Sequence, residues 1–162
     1  MNALLSSAFN PDIAVNSIKN GGQETNKPTM SLKVLIVDDD EVVLFIHELI
    51  IKKSGLSEIP INFKNGQVAM DFLNDHHIKE KQFLIFLDIN MPVMNGWCFL
   101  DTIQHCSYRE KINVIIVTSS IDQIDRRKAK EYPQVIDYIE KPFSMEACLR
   151  IKQLPEIEHL LK

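Results

Sequence analysis

The chain has 162 residues, 45% of them apolar and 25% charged, with a formal net charge of −4. That is enough apolar chain for one domain with a real core, and the mildly acidic balance argues against a nucleic-acid binder, which carries a basic face. The apolar runs are far shorter than the roughly 20 residues of a membrane span. The N-terminus lacks the positive segment and long apolar stretch of a signal peptide, so a soluble, cytoplasmic protein is expected. The three cysteines, Cys98, Cys106 and Cys148, form no C-x-x-C pair. Free thiols are expected rather than a disulfide framework or zinc site.

In chain order, residues 1–31 stand apart. They include "NGGQETNKPTM", polar and weakly patterned, which predicts an extension or linker. Before it, "MNALLSSAF" predicts a short docked helix. From Leu32 short apolar runs recur: "KVLIV" (33–37), "EIPINF" (58–63), "FLIFL" (83–87), "NVIIV" (113–117) and "VIDYI" (135–139). Most are continuous rather than alternating, which suits strands buried on both faces of a parallel sheet. Helical patterns lie between them. Val42, Phe45, Ile46, Leu49 and Ile50 mark the first. Ala69, Phe72 and Leu73 mark the second, and Gly96, Phe99, Leu100 and Ile103 the third. The fourth is thin, with Ile121, Ile124 and Tyr132 around "DRRKAKE". In the fifth, Met145, Cys148 and Leu149 are predicted to face inward. Pro155 then interrupts, and Ile157, Leu160 and Leu161 predict one more helical turn over 155–162.

Five βα units in a row imply right-handed crossovers and a doubly wound α/β sandwich with helices on both faces. The expected fold is flavodoxin-like, with a five-stranded parallel sheet in the order 2-1-3-4-5. Ligands of such a sheet bind beyond the carboxyl ends of the strands, where strands 1 and 3 diverge. Strand 1 delivers Asp38, Asp39 and Asp40 there, strand 3 Asp88, strand 4 Thr118, Ser119 and Ser120, and strand 5 Glu140, Lys141 and Pro142. Strand 2 delivers Asn65 and Gly66, read as plain turn residues.

Converging carboxylates cannot all stay ionised without compensation. A hard divalent cation supplies it, and Mg²⁺ is held by one or two carboxylates together with phosphate and water. A metal beside a carboxylate, a hydroxyl and a lysine is a layout for phosphoryl transfer. No Ser, Cys or His nucleophile with a base sits at that edge, so the nucleophile is read as a carboxylate that forms an aspartyl phosphate. Asp88, alone on the central strand, is the candidate.

These segments resemble the receiver domain of two-component response regulators. "VLIVDDD" is similar to the family's acidic pair, "LDINMPVMNG" to its phosphoacceptor loop, "VIIVTSS" to its hydroxyl-bearing strand and "DYIEKPF" to its lysine–proline strand. All four occur in the family's order over about residues 32–154. The resemblance implies that Asp88 is the phosphoacceptor, that Asp39 binds Mg²⁺ directly with Asp38 assisting, and that Asn90 offers its backbone carbonyl to the metal. It implies that Thr118 bonds a phosphoryl oxygen, that Lys141 pairs with the phosphoryl group, that Tyr138 is the aromatic switch, and that Lys141–Pro142 is cis. A histidine kinase or histidine phosphotransfer protein is the implied donor, and the helix 4/strand 5/helix 5 face the implied contact for an unknown output protein. The domain division expected is 1–31 extension, 32–154 receiver and 155–162 tail. Little chain follows the receiver, so a stand-alone regulator is expected, monomeric or weakly dimeric, without nucleic-acid, membrane or enzymatic function beyond its own phosphorylation and dephosphorylation.

Two rival readings remain at this level. A haloacid dehalogenase-like phosphatase also uses an aspartyl phosphate, but Asp88-Ile89-Asn90 lacks that family's second acid. A receiver-like docking module that works without phosphorylation would not need the intact acid, hydroxyl and lysine set. Other residues read as structural. Asp40 is a helix cap, and Ser120 with Gln123 fits a capping box for helix 4. The histidines (47, 76, 77, 105, 159) show no metal-ligand spacing. "RRKAK" (126–130) is a solvated face, and Trp97 packs beside the phosphoacceptor loop.

Overall fold

The computed structural model, which describes residues 31–76 and 81–162, holds five parallel strands. They are β1 (Ser31–Val37), β2 (Ile61–Phe63), β3 (Lys81–Leu87), β4 (Ile112–Thr118) and β5 (Val135–Glu140), in the order β2-β1-β3-β4-β5. β1, β3, β4 and β5 carry apolar residues on both faces, so the sheet must be covered twice, whereas the short edge strand β2 turns Ile61 and Phe63 to one face and the exposed Asn62 to the other. Between and after the strands run α1 (Glu41–Ser54), α2 (Gly66–His76), α3 (Gly96–Gln104), α4 (Gln123–Ala129), α5 (Met145–Ile151) and α6 (Pro155–Glu158). This is the expected doubly wound, flavodoxin-like sandwich. The predicted helix over "MNALLSSAF" lies outside the described residues, as do the rest of 1–30 and His77.

Successive side chains of a strand point to opposite faces, which splits the core in two. Leu35, Val37, Phe83, Ile85, Leu87, Val114 and Ile116 pack with Ala69 and Leu73 of α2 and Phe99, Leu100 and Ile103 of α3. Val34, Ile36, Leu84, Phe86, Ile115 and Val117 pack with Leu44 and Ile51 of α1, Cys148 and Ile151 of α5 and Ile157 of α6. Of the five helices that follow strands, α4 is the most thinly anchored: of its residues Ala129 alone is buried.

Several local expectations are corrected. The stripe Val42, Phe45, Ile46, Leu49 on α1 does not face the core. These side chains are 65%, 59%, 46% and 39% exposed, while Leu44, His47, Ile51 and Ser54 are buried. With apolar residues around most of the helix, periodicity cannot set its phase. Asp40 fixes only its start, by accepting the Val42 and Val43 N–H groups (2.8 and 3.3 Å), and packing against the sheet and α5 selects the buried face. On α5, Leu149 is exposed and Ala147 and Ile151 are buried beside Cys148. The cap of α4 is Asp122, which accepts the Ile124 N–H at 2.8 Å, not Ser120. β2 is shorter than the predicted 58–63, because Pro60 has no N–H to extend the ladder. Trp97 stacks on Tyr132 (5.8 Å between centroids) beneath the Lys128 ammonium, a contact with the end of α4 that the sequence reading did not foresee.

Candidate functional site

The ladder continues one residue past the strand ends, and this places the polar residues. The Asp38 N–H donates to Phe63 O (3.0 Å), the Asp88 N–H to Val37 O (2.9 Å) and the Lys141 N–H to Thr118 O (2.8 Å). Each residue at the rim is thereby fixed by the backbone of its neighbour strand, directly above a fully apolar layer. The consequence is burial: Asp38 is 1%, Asp88 6% and Thr118 0% exposed.

Lys141 compensates the two sunken carboxylates. Its Nζ donates to Asp38 Oδ2 at 2.7 Å and to Asp88 Oδ2 at 2.8 Å. The other oxygens are held by the backbone: Asp38 Oδ1 accepts the Asp40 N–H and Asp88 Oδ1 the Asn90 N–H, both at 3.0 Å. Burial pushes the Asp38 carboxyl above its ordinary value, although the lysine opposes that. Burial works against the Lys141 charge too, but its bonds to Asp38 and Asp88 outweigh it and hold the ammonium above its usual range.

Asp39 is exposed at the mouth, and carboxylate oxygens of Asp38, Asp39 and Asp88 lie within 4.8 Å of one another. Three hard anionic oxygens at that spacing, open on one side, suit a small divalent cation that keeps water ligands. Thr118 Oγ1 accepts the Ser120 N–H at 3.2 Å and the Asn90 side-chain amide at 3.4 Å. Tyr138 on β5 is half-buried, and its hydroxyl donates to Ser120 O at 3.3 Å. All seven residues singled out from sequence therefore gather around one rim, with Tyr138 one shell further out through Ser120. The Lys141–Pro142 bond is cis.

The surroundings hold residues that sequence reasoning passed over. Phe143, next after Pro142, inserts between Phe86 (5.2 Å) and the edge of His47 (5.2 Å, 76° between planes), and anchors the lysine loop. His47 is buried, and burial together with the nearby Lys141 charge lowers it to about 4. A cleft of about 300 Å³ beside the rim is lined by Val43, Ile46, His47, Lys141, Pro142 and Phe143. Asn65 and Gly66 are more than turn residues. Asn65 Oδ1 accepts the Val68 N–H at 3.1 Å, and the Gly66 N–H donates to Met94 O at 3.2 Å, tying α2 to the acceptor loop. That loop also carries Val93 at φ 69°, a left-handed conformation costly for a β-branched residue. Its exit, Gly96, touches the backbone of Asp88 and Ile89 so closely that a Cβ would lie 2.6 Å from each.

A parallel sheet of this order, with paired acids, an isolated aspartate, a hydroxyl and a cis-proline lysine at its rim, defines a receiver-type protein. The family model for the response regulator receiver domain matches residues 34–152, and the chain belongs to that family. It is 34% identical over 146 residues to the two-component response regulator ARR22 of Arabidopsis thaliana, covering 86% of this chain and 94% of that one. It is 30% identical over 115 residues to the transcriptional regulatory protein MalR of Bacillus subtilis, of which it spans about half (46%). Among solved structures, a two-component response regulator from Cytophaga hutchinsonii superposes with a TM-score of 0.69 at 28% identity, covering 81% of this chain and 97% of that one. No helix among the described residues is long and apolar enough to cross a membrane.

Proposed function

We propose that this receiver is a phosphorylation switch in which Asp88 accepts a phosphoryl group from a histidine kinase or histidine phosphotransfer protein. The observation that carries the reading is the Lys141 ammonium bridging Asp38 and Asp88 at 2.7 and 2.8 Å beside the exposed Asp39. Asp88 attacks the phosphorus of a phosphohistidine. The O–P bond forms as the P–N bond breaks, and the electron pair stays on the imidazole nitrogen, which takes up a proton. Asp38, Asp39, Asp88 and the Asn90 carbonyl would hold a magnesium ion, which when bound supplies the positive charge that lets anionic donor and acceptor meet. Lys141 follows the incoming phosphoryl oxygens, and the Thr118 hydroxyl donates to one of them.

The apolar stripe of α1 supports a protein donor. Val42, Phe45, Ile46 and Leu49 lie in solvent, and Ile46 lines the cleft at Lys141, where a donor would approach Asp88. The new phosphoryl charge, about −1.5 to −2, is read through the α4/β5/α5 flank by an output partner. Asn90, in place of a second acid, disfavours a phosphatase acting on separate substrates, and the chain is not proposed to be an enzyme in that sense. It is proposed to act as a monomer or weak dimer without nucleic acid. The test is mass spectrometry after incubation with acetyl phosphate and Mg²⁺. One added phosphoryl group on the wild type is expected, lost in Asp88→Asn and in excess EDTA. Persistent labelling of Asp88→Asn would sink the assignment.

A further inference from the structure

We infer that Arg126 is a positioning residue for the phosphoryl switch: its guanidinium clamps the Tyr138 ring inward and so couples α4 to the Thr118–Ser120 segment. This rests on the reading of Asp88 as the acceptor.

α4 cannot be fixed by apolar packing. Ile121 and Ile124 are 78% and 61% exposed, and Ala129 is the one buried residue of the helix. Polar ties take over, and two of them meet on one side chain. The Arg126 guanidinium donates to Glu140 Oε1 at 2.9 Å and lies 4.6 Å over the Tyr138 ring. The covered ring sends its hydroxyl to Ser120 O, and the Ser120 N–H bonds Thr118 Oγ1, the hydroxyl proposed to meet the phosphoryl group. Ser120 Oγ bonds Asp125, adjacent to Arg126, at 2.5 Å and closes the circuit. An open space of about 290 Å³ between α4 and β5, lined by Arg126, Ala129, Val135 and Tyr138, gives the ring room to leave once the guanidinium is withdrawn. Exposed ion pairs and cation–π contacts are individually weak. Weak ties suit an element that has to move, because a modest push from the acceptor site then shifts its populations. The planar guanidinium matters: lysine could reach Glu140 but could not also lie flat on the ring.

Fluorine NMR of protein labelled with 3-fluorotyrosine tests this. The chain has three tyrosines, and Tyr138→Phe assigns the relevant signal. Arg126→Met should move the Tyr138 resonance toward its solvent-exposed position while the Tyr108 signal stays in place. It should also weaken binding of beryllofluoride with Mg²⁺ about fivefold, the scale of a population shift of this kind. Arg126→Lys should resemble Arg126→Met in the Tyr138 signal. An unmoved Tyr138 resonance in Arg126→Met, or full rescue by lysine, would overturn the clamp. Wild-type protein that binds no beryllofluoride would instead sink the assignment of Asp88, while the tyrosine signal still judges the clamp.

Discussion

The strand-end rim and the α4–β5 flank are built on opposite principles. At the rim, polar and charged groups are sunk into the best-packed part of the molecule: Asp38, Asp88 and Thr118 are buried above strands whose apolar residues are almost fully enclosed. Their geometry is over-determined by ladder hydrogen bonds from neighbouring strands. At the flank, apolar residues such as Ile121 and Ile124 lie in solvent, and the helix is held by side-chain ties that water can replace. Reactive groups need fixed positions, whereas a responding surface needs a low cost of rearrangement. The molecule puts each on the part of the fold that supplies it.

The strongest way to break this contrast is to disturb the rim from below. Gly96→Ala drives a Cβ into the backbone of Asp88 and Ile89, neither of which can turn aside. We expect a loss of about 3 kcal/mol by urea unfolding and a fall of about 100-fold in the acetyl phosphate labelling rate. Unchanged labelling would show that the rim tolerates displacement as the flank does.

His47 tests the rigidity of the rim through pH. Its folded value is about 4 against an ordinary 6.5. Between those values the unfolded chain takes up a proton that the folded chain refuses, so stability falls as the pH drops from 6.5 toward 4, by about 3 kcal/mol in all. The raised Asp38 carboxyl acts in the opposite sense, its contribution declining as the pH climbs above 3.8. The difference between wild type and His47→Leu across that range therefore isolates the histidine. Parallel unfolding curves at pH 7 and pH 5 for the two proteins would contradict the burial argument.

Two smaller effects sharpen the comparison. Val93→Gly relieves a left-handed β-branched residue on the acceptor loop and should stabilise the fold by about 1 kcal/mol in thermal unfolding. A loss of stability would mean that the loop uses the Val93 side chain. Phe45→Ser, on the exposed stripe of α1, should change stability by less than about 0.5 kcal/mol. It should leave acetyl phosphate labelling intact and slow transfer from a phosphohistidine protein. Equal slowing with both donors would remove α1 from the docking surface.

How much was legible follows the type of pattern. Strands buried on both faces announce themselves as short apolar runs, so all five strands could be placed, β2 with bounds too wide, and their order followed as the arrangement expected of five successive βα units. The polar residues that end those runs, Asp38, Asp88, Thr118 and Lys141, could be read as one cluster because parallel strands in a known order bring their ends together. The phase of α1 could not, since apolar residues on most of its circumference leave several faces equally plausible. Nor could the cap of α4, where Ser120 and Asp122 both offer a suitable oxygen and only the path of the chain out of β4 chooses between them.

Sequence alone determined the layered parallel architecture and which residue types meet at its rim, because both follow from local periodicity and from the fixed direction of each strand. The tertiary structure decided which side of α1 faces water, that Lys141 bridges two particular carboxylates, that Phe143 and His47 anchor its loop, and that Arg126 lies on Tyr138. Those are contacts between segments far apart in the chain, and their distances depend on how whole elements pack, a quantity that no short stretch of residues encodes.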